Sequence, residues 1–252
     1  MGTKGRLKTS DWGQFMPVQN SLAGEGPWHY RDTECVMVGF TTDADAVLDI
    51  LPEELELMEP ASGFMIIETN HWTTIGGYGE VYVGLMCTFK GQPYAYVPGV
   101  YVTGEASQIA GREVYGFGKK RAHRIELITH QDGQIEASMD IKEGDRALRA
   151  MMRPVKNEPA DAVAGVPLIC LKVIPDAKGG APALAQLVTV SFTAEPIVGS
   201  DGRAEVYSGP GTMRFDAPSD VDFPIKSIDS CMYMHFNAVL PFGEVLMTYK
   251  TD

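Results

Sequence analysis

A β-dominated α+β fold, built around one large curved or barrel-like antiparallel sheet with a few short helices, is what this sequence of 252 residues predicts. Short runs rich in β-branched and aromatic residues, bounded by Gly, Pro, Asn and Asp, recur along the whole chain. Helical periodicity is confined to two brief stretches. No composition break, charge run, low-complexity linker or internal repeat divides the chain, so residues 1–252 read as a single domain.

In order, "ECVMVGFTT" is the first strand run, and it leads into "TTDADAVLDILPEEL". There Thr42 or Asp43 can cap a helix, acids fill its first turn, Val47, Leu48 and Leu51 form an apolar stripe, and Pro52 stops it. "GFMIIETNH", "EVYVGLMCTFK" and "YAYVPGVYV" read as further strands. A second short helix runs from Thr103 to about Ala110 in "TGEASQIAGRE" and is ended by Gly111. "RIELITH" and "QIEASMDI" flank Asp132-Gly133, a strong hairpin signal. "VPLICLKVI", "LAQLVTVSFTAEPIV", "RAEVYSG" and "GEVLMTYK" complete the strand set.

Composition narrows the function classes. The formal net charge of −12 arises from 33 acidic against 21 basic residues with no polybasic block, which argues against nucleic acid and anionic membrane surfaces as partners. The N-terminal "MGTKGRLKTSDWGQFMP" has basic residues but no apolar run behind them, and no stretch approaches the roughly 20 apolar residues of a membrane span, so a cytoplasmic protein is expected. Cys35, Cys87, Cys170 and Cys231 lie scattered among apolar neighbours, as reduced core thiols do. His29, His71, His123, His130 and His235 are equally dispersed, so neither a metal site nor a cofactor is expected.

One segment, "GREVYGFGKKRAHRIEL", sets Lys119 and Lys120 side by side after a small, apolar, glycine-rich run. A dilysine is ordinarily a solvated surface pair. The other reading is a lysine nucleophile. An amine attacks a ketone only when neutral, and an ordinary lysine titrates near 10.4, so work near pH 7 requires a depression of about three pH units, roughly 4 kcal/mol. A second cation about 4 Å away contributes roughly 4 kcal/mol at an effective dielectric near 20. Burial in an apolar pocket pushes a lysine down by about 3 to 5 pH units. In an extended segment adjacent side chains point to opposite faces, which carries Lys120 away from Lys119, favours burial as the larger cause, and leaves Lys120 to pair with an acid.

The segment "GREVYGFGKK" resembles the acetoacetate decarboxylase family, whose members carry a Gly-Arg-Glu turn, an aromatic, usually a proline, and two lysines. The likeness extends to "PWHYRDTECVMVGFTTDADAV", "ILPEELELMEP", "GGYGE", "PLICLKVIP" and "VLPFGEVLMTYK", nearly the whole chain. The family is itself the familiar example of an activated lysine. The resemblance implies an imine-forming enzyme in which Lys119 is the nucleophile, Lys120 its neighbour and Glu80 of "GGYGEVYVG" the essential carboxylate, placed to move protons or orient substrate. It also suggests a homo-oligomer.

This sequence departs from the family pattern twice. Gly118 stands where proline is usual, loosening the backbone before the nucleophile. Thr33 stands where decarboxylases carry an arginine, so a substrate carboxylate loses its charge-assisted partner. Arg31, two residues upstream, shares a face with Thr33 if the strand is regular. Trp72 and Tyr82, with Tyr78, Tyr115, Phe117, Met65 and Met86, either line an apolar substrate pocket or belong to the core. Arg112 and Glu113 read as structural, and His71 as a proton shuttle or an incidental strand-end residue. The expected activity is lysine Schiff-base chemistry on a small keto acid, with condensation and dehydration of pyruvate with an aldehyde ranked above acetoacetate decarboxylation. A β-barrel binder of an apolar ligand is the non-catalytic alternative.

Overall fold

The computed structural model describes residues 2–251. The long strand β1 (Trp28–Thr41) leads into α1 (Ala44–Leu48), where the Asp43 side chain caps the first turn by accepting from the Asp45 amide at 3.0 Å. The helix is little more than one turn, shorter than its apolar stripe suggests. There follow β2 (Glu56–Leu57), β3 (Ser62–Thr73), β4 (Tyr78–Phe89), β5 (Gln92–Tyr96) and β6 (Val100–Val102). The run "YAYVPGVYV" is thus two strands, broken at Pro98, which cannot donate to a ladder. Next, α2 (Glu105–Ala110) passes through Gly111 into a π-helical turn, Gly111–Tyr115, and the stop is Gly116 with φ 83°. The α-helix ends at Ala110 as expected, but Gly111 keeps helical angles and opens the π-helical turn, and it is Gly116 that takes the left-handed conformation that costs a glycine little.

Strands β7 (Lys119–Arg121), β8 (Arg124–Thr129) and β9 (Ile135–Lys142) come next, the last two joined by the hairpin at Asp132-Gly133, where Gly133 has φ 80°. The remainder are β10 (Asp145–Met152), β11 (Lys156–Asn157), a 3-10 turn at Ala160–Val163, β12 (Leu168–Ile174), β13 (Leu184–Val190), β14 (Thr193–Pro196), β15 (Val206–Ser208), β16 (Gly211–Phe215), β17 (Ser227–Leu240) and β18 (Glu244–Thr248).

The strands form a 14-stranded sheet with the order β11-β15-β17-β1-β3-β4-β5-β12-β13-β18 along its main path, and a four-stranded sheet ordered β16-β10-β9-β8. The fold is strand-dominated with few short helices, as the sequence predicts. Two features differ from expectation. The large sheet is mixed, because β6–β7 and β5–β12 pair in parallel. It also ends in the free edges β11 and β18 rather than closing as a barrel.

Alternation along the central strands gives two apolar faces. Val36, Val38 and Phe40 of β1, with Met65, Ile67, Val81, Val83 and Leu85, pack against Ala137, Met139, Leu148 and Ala150 of the small sheet. Each large aliphatic side chain fully buried there contributes about 1.5–3 kcal/mol. The opposite face carries Cys35, Ile66, Tyr82 and Met234, and it is this face that builds the site. Cys35, Cys87, Cys170 and Cys231 are buried free thiols. Among the described residues, no helix is long and apolar enough to cross a membrane.

Candidate active site

Strand register sets the positions. Cys35 pairs with Glu68, Glu68 with Glu80, and Glu80 with Val102, so two carboxylates stand side by side in one row of the sheet. In the next row Met37, Ile66, Tyr82 and Val100 are in line, and Val100 pairs with Lys119 across the parallel β6–β7 ladder. Lys119 crosses one row to meet Glu80: its Nζ donates to Oε2 at 2.7 Å. The side chains are 5% and 9% exposed, and Nζ lies 5.6 Å from the ring centroids of both Tyr78 and Phe117.

The close fit of α2 depends on a missing side chain. A Cβ on Gly111 would stand 2.5 Å from Lys119 Cε and 2.7 Å from Cδ, so the lysine chain occupies the space that any other residue would fill. Gln108 and the Arg112 guanidinium donate to the Lys119 carbonyl at 3.2 and 3.3 Å, which gives Arg112 its structural role. Gly118 does not use a left-handed angle; a Cβ there would approach the Pro98 carbonyl to 3.0 Å.

A second chain of polar contacts adjoins the pair. The Thr33 hydroxyl donates to Asn70 Oδ1 at 2.9 Å, and Asn70 Nδ2 donates to Glu68 Oε1 at 2.9 Å. Burial, reinforced by the charge on Glu80, raises the Glu68 carboxyl to about 8, against the opposing pull of Asn70 and Lys119. The Tyr30 and Tyr78 hydroxyls are 2.9 Å apart. Two hydroxyls sharing one hydrogen bond leave one O–H free to donate elsewhere. Burial pushes the phenols of Tyr30, Tyr78 and Tyr82 and the Cys35 thiol well above their usual values, so all four stay neutral.

These groups form the polar end of a cavity of about 290 Å³. Tyr30, Glu68 and Asn70 border it, while Met37, Phe64, Ile66, Tyr82, Met86, Leu168, Phe192, Met234 and Phe236 make the rest of its wall mostly apolar. Glu68 has partial exposure because it borders this space. Lys119 and Glu80 are not wall residues; they lie behind the polar end, Glu80 as the register partner of Glu68.

The structure thus brings together Lys119, Glu80, Thr33 and Tyr82, and it separates four others. The Lys120 ammonium is turned to the surface, 2.7 Å from Asp220, with 60% of its side chain exposed. Arg31 does not share the side of Thr33. Asp32, with φ 58°, forms a bulge between Tyr30 and Thr33 that reverses the inward alternation, so Arg31 is exposed and donates to the Tyr30 carbonyl. Trp72, the register partner of Arg31, is 52% exposed and outside the cavity. His71 sits at an exposed rim, 2.8 Å from Glu34, and so has no route to the amine as a shuttle. Glu68, Asn70 and Tyr30 escape the sequence reading. A signal for the first two exists in "GFMIIETNH", where polar residues two apart continue the inward side of an apolar strand.

Comparison with known proteins places this geometry. The acetoacetate decarboxylase (ADC) family model matches residues 15–249. Acetoacetate decarboxylase 3 of Mesorhizobium japonicum is 27% identical over 245 residues, covering 94% of this chain and 91% of that protein. The acetoacetate decarboxylase of Clostridium acetobutylicum is 26% identical over 242 residues, covering 92% and 94%. Among solved structures, an acetoacetate decarboxylase superposes with a TM-score of 0.86 at 23% identity, covering 96% of this chain and 99% of the other. The enduracididine biosynthesis enzyme MppR, solved with the condensation product of pyruvate and imidazole 4-carboxaldehyde, superposes with a TM-score of 0.77 at 20% identity, covering 98% of each chain. A family match running from Phe15 to Tyr249, with relatives aligned almost end to end, leads to one conclusion: the chain belongs to the acetoacetate decarboxylase family, whose enzymes are lyases that work through a lysine Schiff base.

Proposed function

We propose that the chain condenses pyruvate with an uncharged aromatic aldehyde and dehydrates the adduct, through an imine on Lys119. The observation that carries this reading is the polar end of the cavity, where Thr33 is tied to Asn70 and, among the described residues, no Lys or Arg side chain borders the space. Expelling carbon dioxide requires the breaking bond to be held perpendicular to the imine plane, and fixing such a geometry is worth several kcal/mol of barrier. A cation beside the carboxylate does this well, and here it is missing. Forming an enamine from pyruvate asks less: one proton must leave the methyl group. The apolar wall suits an aromatic aldehyde, and the spare hydroxyl proton of the Tyr30–Tyr78 pair suits the pyruvate carboxylate.

The steps use groups in contact. Glu80 takes the ammonium proton across the 2.7 Å bond, and neutral Nζ adds to the pyruvate carbonyl carbon. The carbinolamine oxygen takes that proton back from Glu80 and leaves as water, which gives the iminium and restores the Glu80 carboxylate. Glu80 then removes a methyl proton, the enamine carbon bonds to the aldehyde carbon as the aldehyde oxygen takes that proton from Glu80, dehydration follows, and hydrolysis frees the conjugated keto acid. MppR holds a product of this kind, which supports the reading.

Acetoacetate decarboxylation is the second reading, favoured by relatives bearing that name over nearly the full chain. The test follows absorbance of the conjugated product from pyruvate plus benzaldehyde, and carbon dioxide release from acetoacetate. Condensation with at most slow release is expected; brisk release without condensation promotes the second reading. Borohydride reduction with pyruvate should leave its mass on the peptide containing Lys119, and labelling elsewhere removes that lysine from the mechanism.

A further inference from the structure

We propose that Glu68 is the acid that protonates the departing hydroxyl when the condensation adduct loses water, an assignment that rests on the condensation reading above. Four observations place it. Glu68 borders the cavity, whereas Glu80 and Lys119 do not. Its backbone is the direct cross-strand partner of Glu80, so the two carboxyls share one face and one row. Its Oε1 accepts from Asn70 Nδ2, and that amide is oriented by the Thr33 hydroxyl on Oδ1. Its Oε2 has no hydrogen-bond partner among the described residues, which leaves one carboxyl oxygen to serve the substrate.

The electrostatics are consistent with the task. Lys119 and Glu80 together are neutral, so an ionised Glu68 would place an uncompensated negative charge beside Glu80 in a buried setting. Burial and that neighbour hold Glu68 protonated up to about pH 8, as an acid must be before it donates. In place of the arginine implied by the family resemblance, the Thr33–Asn70 pair orients the Glu68 carboxyl without adding a positive charge, so the change at Thr33 withdraws a cation that would favour the ionised form and leaves burial and Glu80 to keep the acid neutral.

The dehydration balances within the site. Glu80 takes the proton from the carbon next to the iminium, giving an enamine. The enamine electrons re-form the iminium and a new carbon–carbon double bond as the C–O bond breaks. The bonding pair goes to the hydroxyl oxygen, which takes the Glu68 proton and departs as water. Glu80 now carries a proton and Glu68 a charge. Transfer from Glu80 to Glu68, adjacent in the row, restores both.

The experiment compares the wild-type enzyme with Glu68→Gln, using pyruvate and benzaldehyde, and separates the β-hydroxy adduct from the conjugated product by chromatography. Borohydride trapping of pyruvate on Lys119 reports whether the variant's site is intact. The expected result is trapping at the wild-type level, β-hydroxy adduct accumulating, and conjugated product formed about 10²-fold more slowly or less. The alkaline limb of the wild-type dehydration rate, expected near pH 8, should also disappear. Conjugated product within threefold of wild type overturns the assignment, as does a parallel fall of adduct and product, which would place Glu68 before carbon–carbon bond formation. Should Glu68→Gln fail to fold, Thr33→Val removes the support for Asn70 at nearly constant volume. It should raise the ratio of adduct to conjugated product by about threefold or more, and an unchanged ratio overturns the assignment equally. The two levels of failure are distinguishable. A wild-type enzyme that releases carbon dioxide and condenses nothing sinks the condensation reading in the wild-type arm alone, whereas normal dehydration by the variant sinks only the role of Glu68.

Discussion

A single proton between Lys119 and Glu80 decides whether the amine can react, and the 2.7 Å contact gives it a direct path. Glu80→Gln keeps the shape and removes the acceptor. Turnover should fall by about 10²–10⁴-fold, measured as product formation, while circular dichroism stays native. Lys120→Ala tests the opposite case. Its ion pair with Asp220 is solvent-exposed and worth about 0–1 kcal/mol, so kcat should remain within about threefold of wild type and Tm should barely move. Glu68 makes stability depend on pH. Its carboxyl is raised from the ordinary 4.5 to about 8 by the fold, so between these values the folded state holds a proton that the unfolded state has released. Stability therefore declines as pH rises through that window. Thermal melts from about pH 5 to about pH 8 should show the decline, and Glu68→Gln should flatten it. The sequence exposes Lys119 and Glu80 through motifs, but Glu68 and Asn70 become a site only through register, a relation between strands that no local pattern carries.

Among the elements, α2 and its π-helical extension aim the nucleophile. Gly111→Ala should gain about 1 kcal/mol of helix propensity, but its Cβ would meet Lys119 Cε at 2.5 Å. We expect kcat to fall about 10²-fold with little change in Tm, a split that assay and melting curve together would reveal. Legibility varies at this scale for identifiable reasons. The β8–β9 hairpin is plain because Asp132-Gly133 encodes its turn locally. Strand β10, "DRALRAMM", consists largely of good helix formers and is a strand because β9 and β16 pair with it on both sides. Strand β17 is hidden by interrupting polar residues, although it is one of the two longest strands and the central partner of β1. The bulge at Asp32 defeats the two-residue periodicity that would have put Arg31 beside Thr33.

Across the whole molecule, the large sheet divides labour between its faces, one packed on the small sheet and the other lining the cavity. Leu148→Ala, in the core beneath the small sheet, should cost about 2–5 kcal/mol in denaturant unfolding, while the folded protein still traps pyruvate on Lys119. Strand dominance was readable from composition and punctuation. The parallel joins β6–β7 and β5–β12 were not, since they depend on which distant segments meet.

The order in which the cavity is assembled has a consequence for the living chain. Glu80 and Lys119 are 39 residues apart and leave the ribosome early, but Phe192, Met234 and Phe236 come from the last third. Synthesis at about 5–20 residues per second separates the lysine from Phe236 by roughly 6–23 s. Throughout that interval the cavity beside the Glu68 and Asn70 row lacks much of its apolar wall. A keto acid or aldehyde in the surroundings thus finds no enclosed space to occupy until the closing strands arrive.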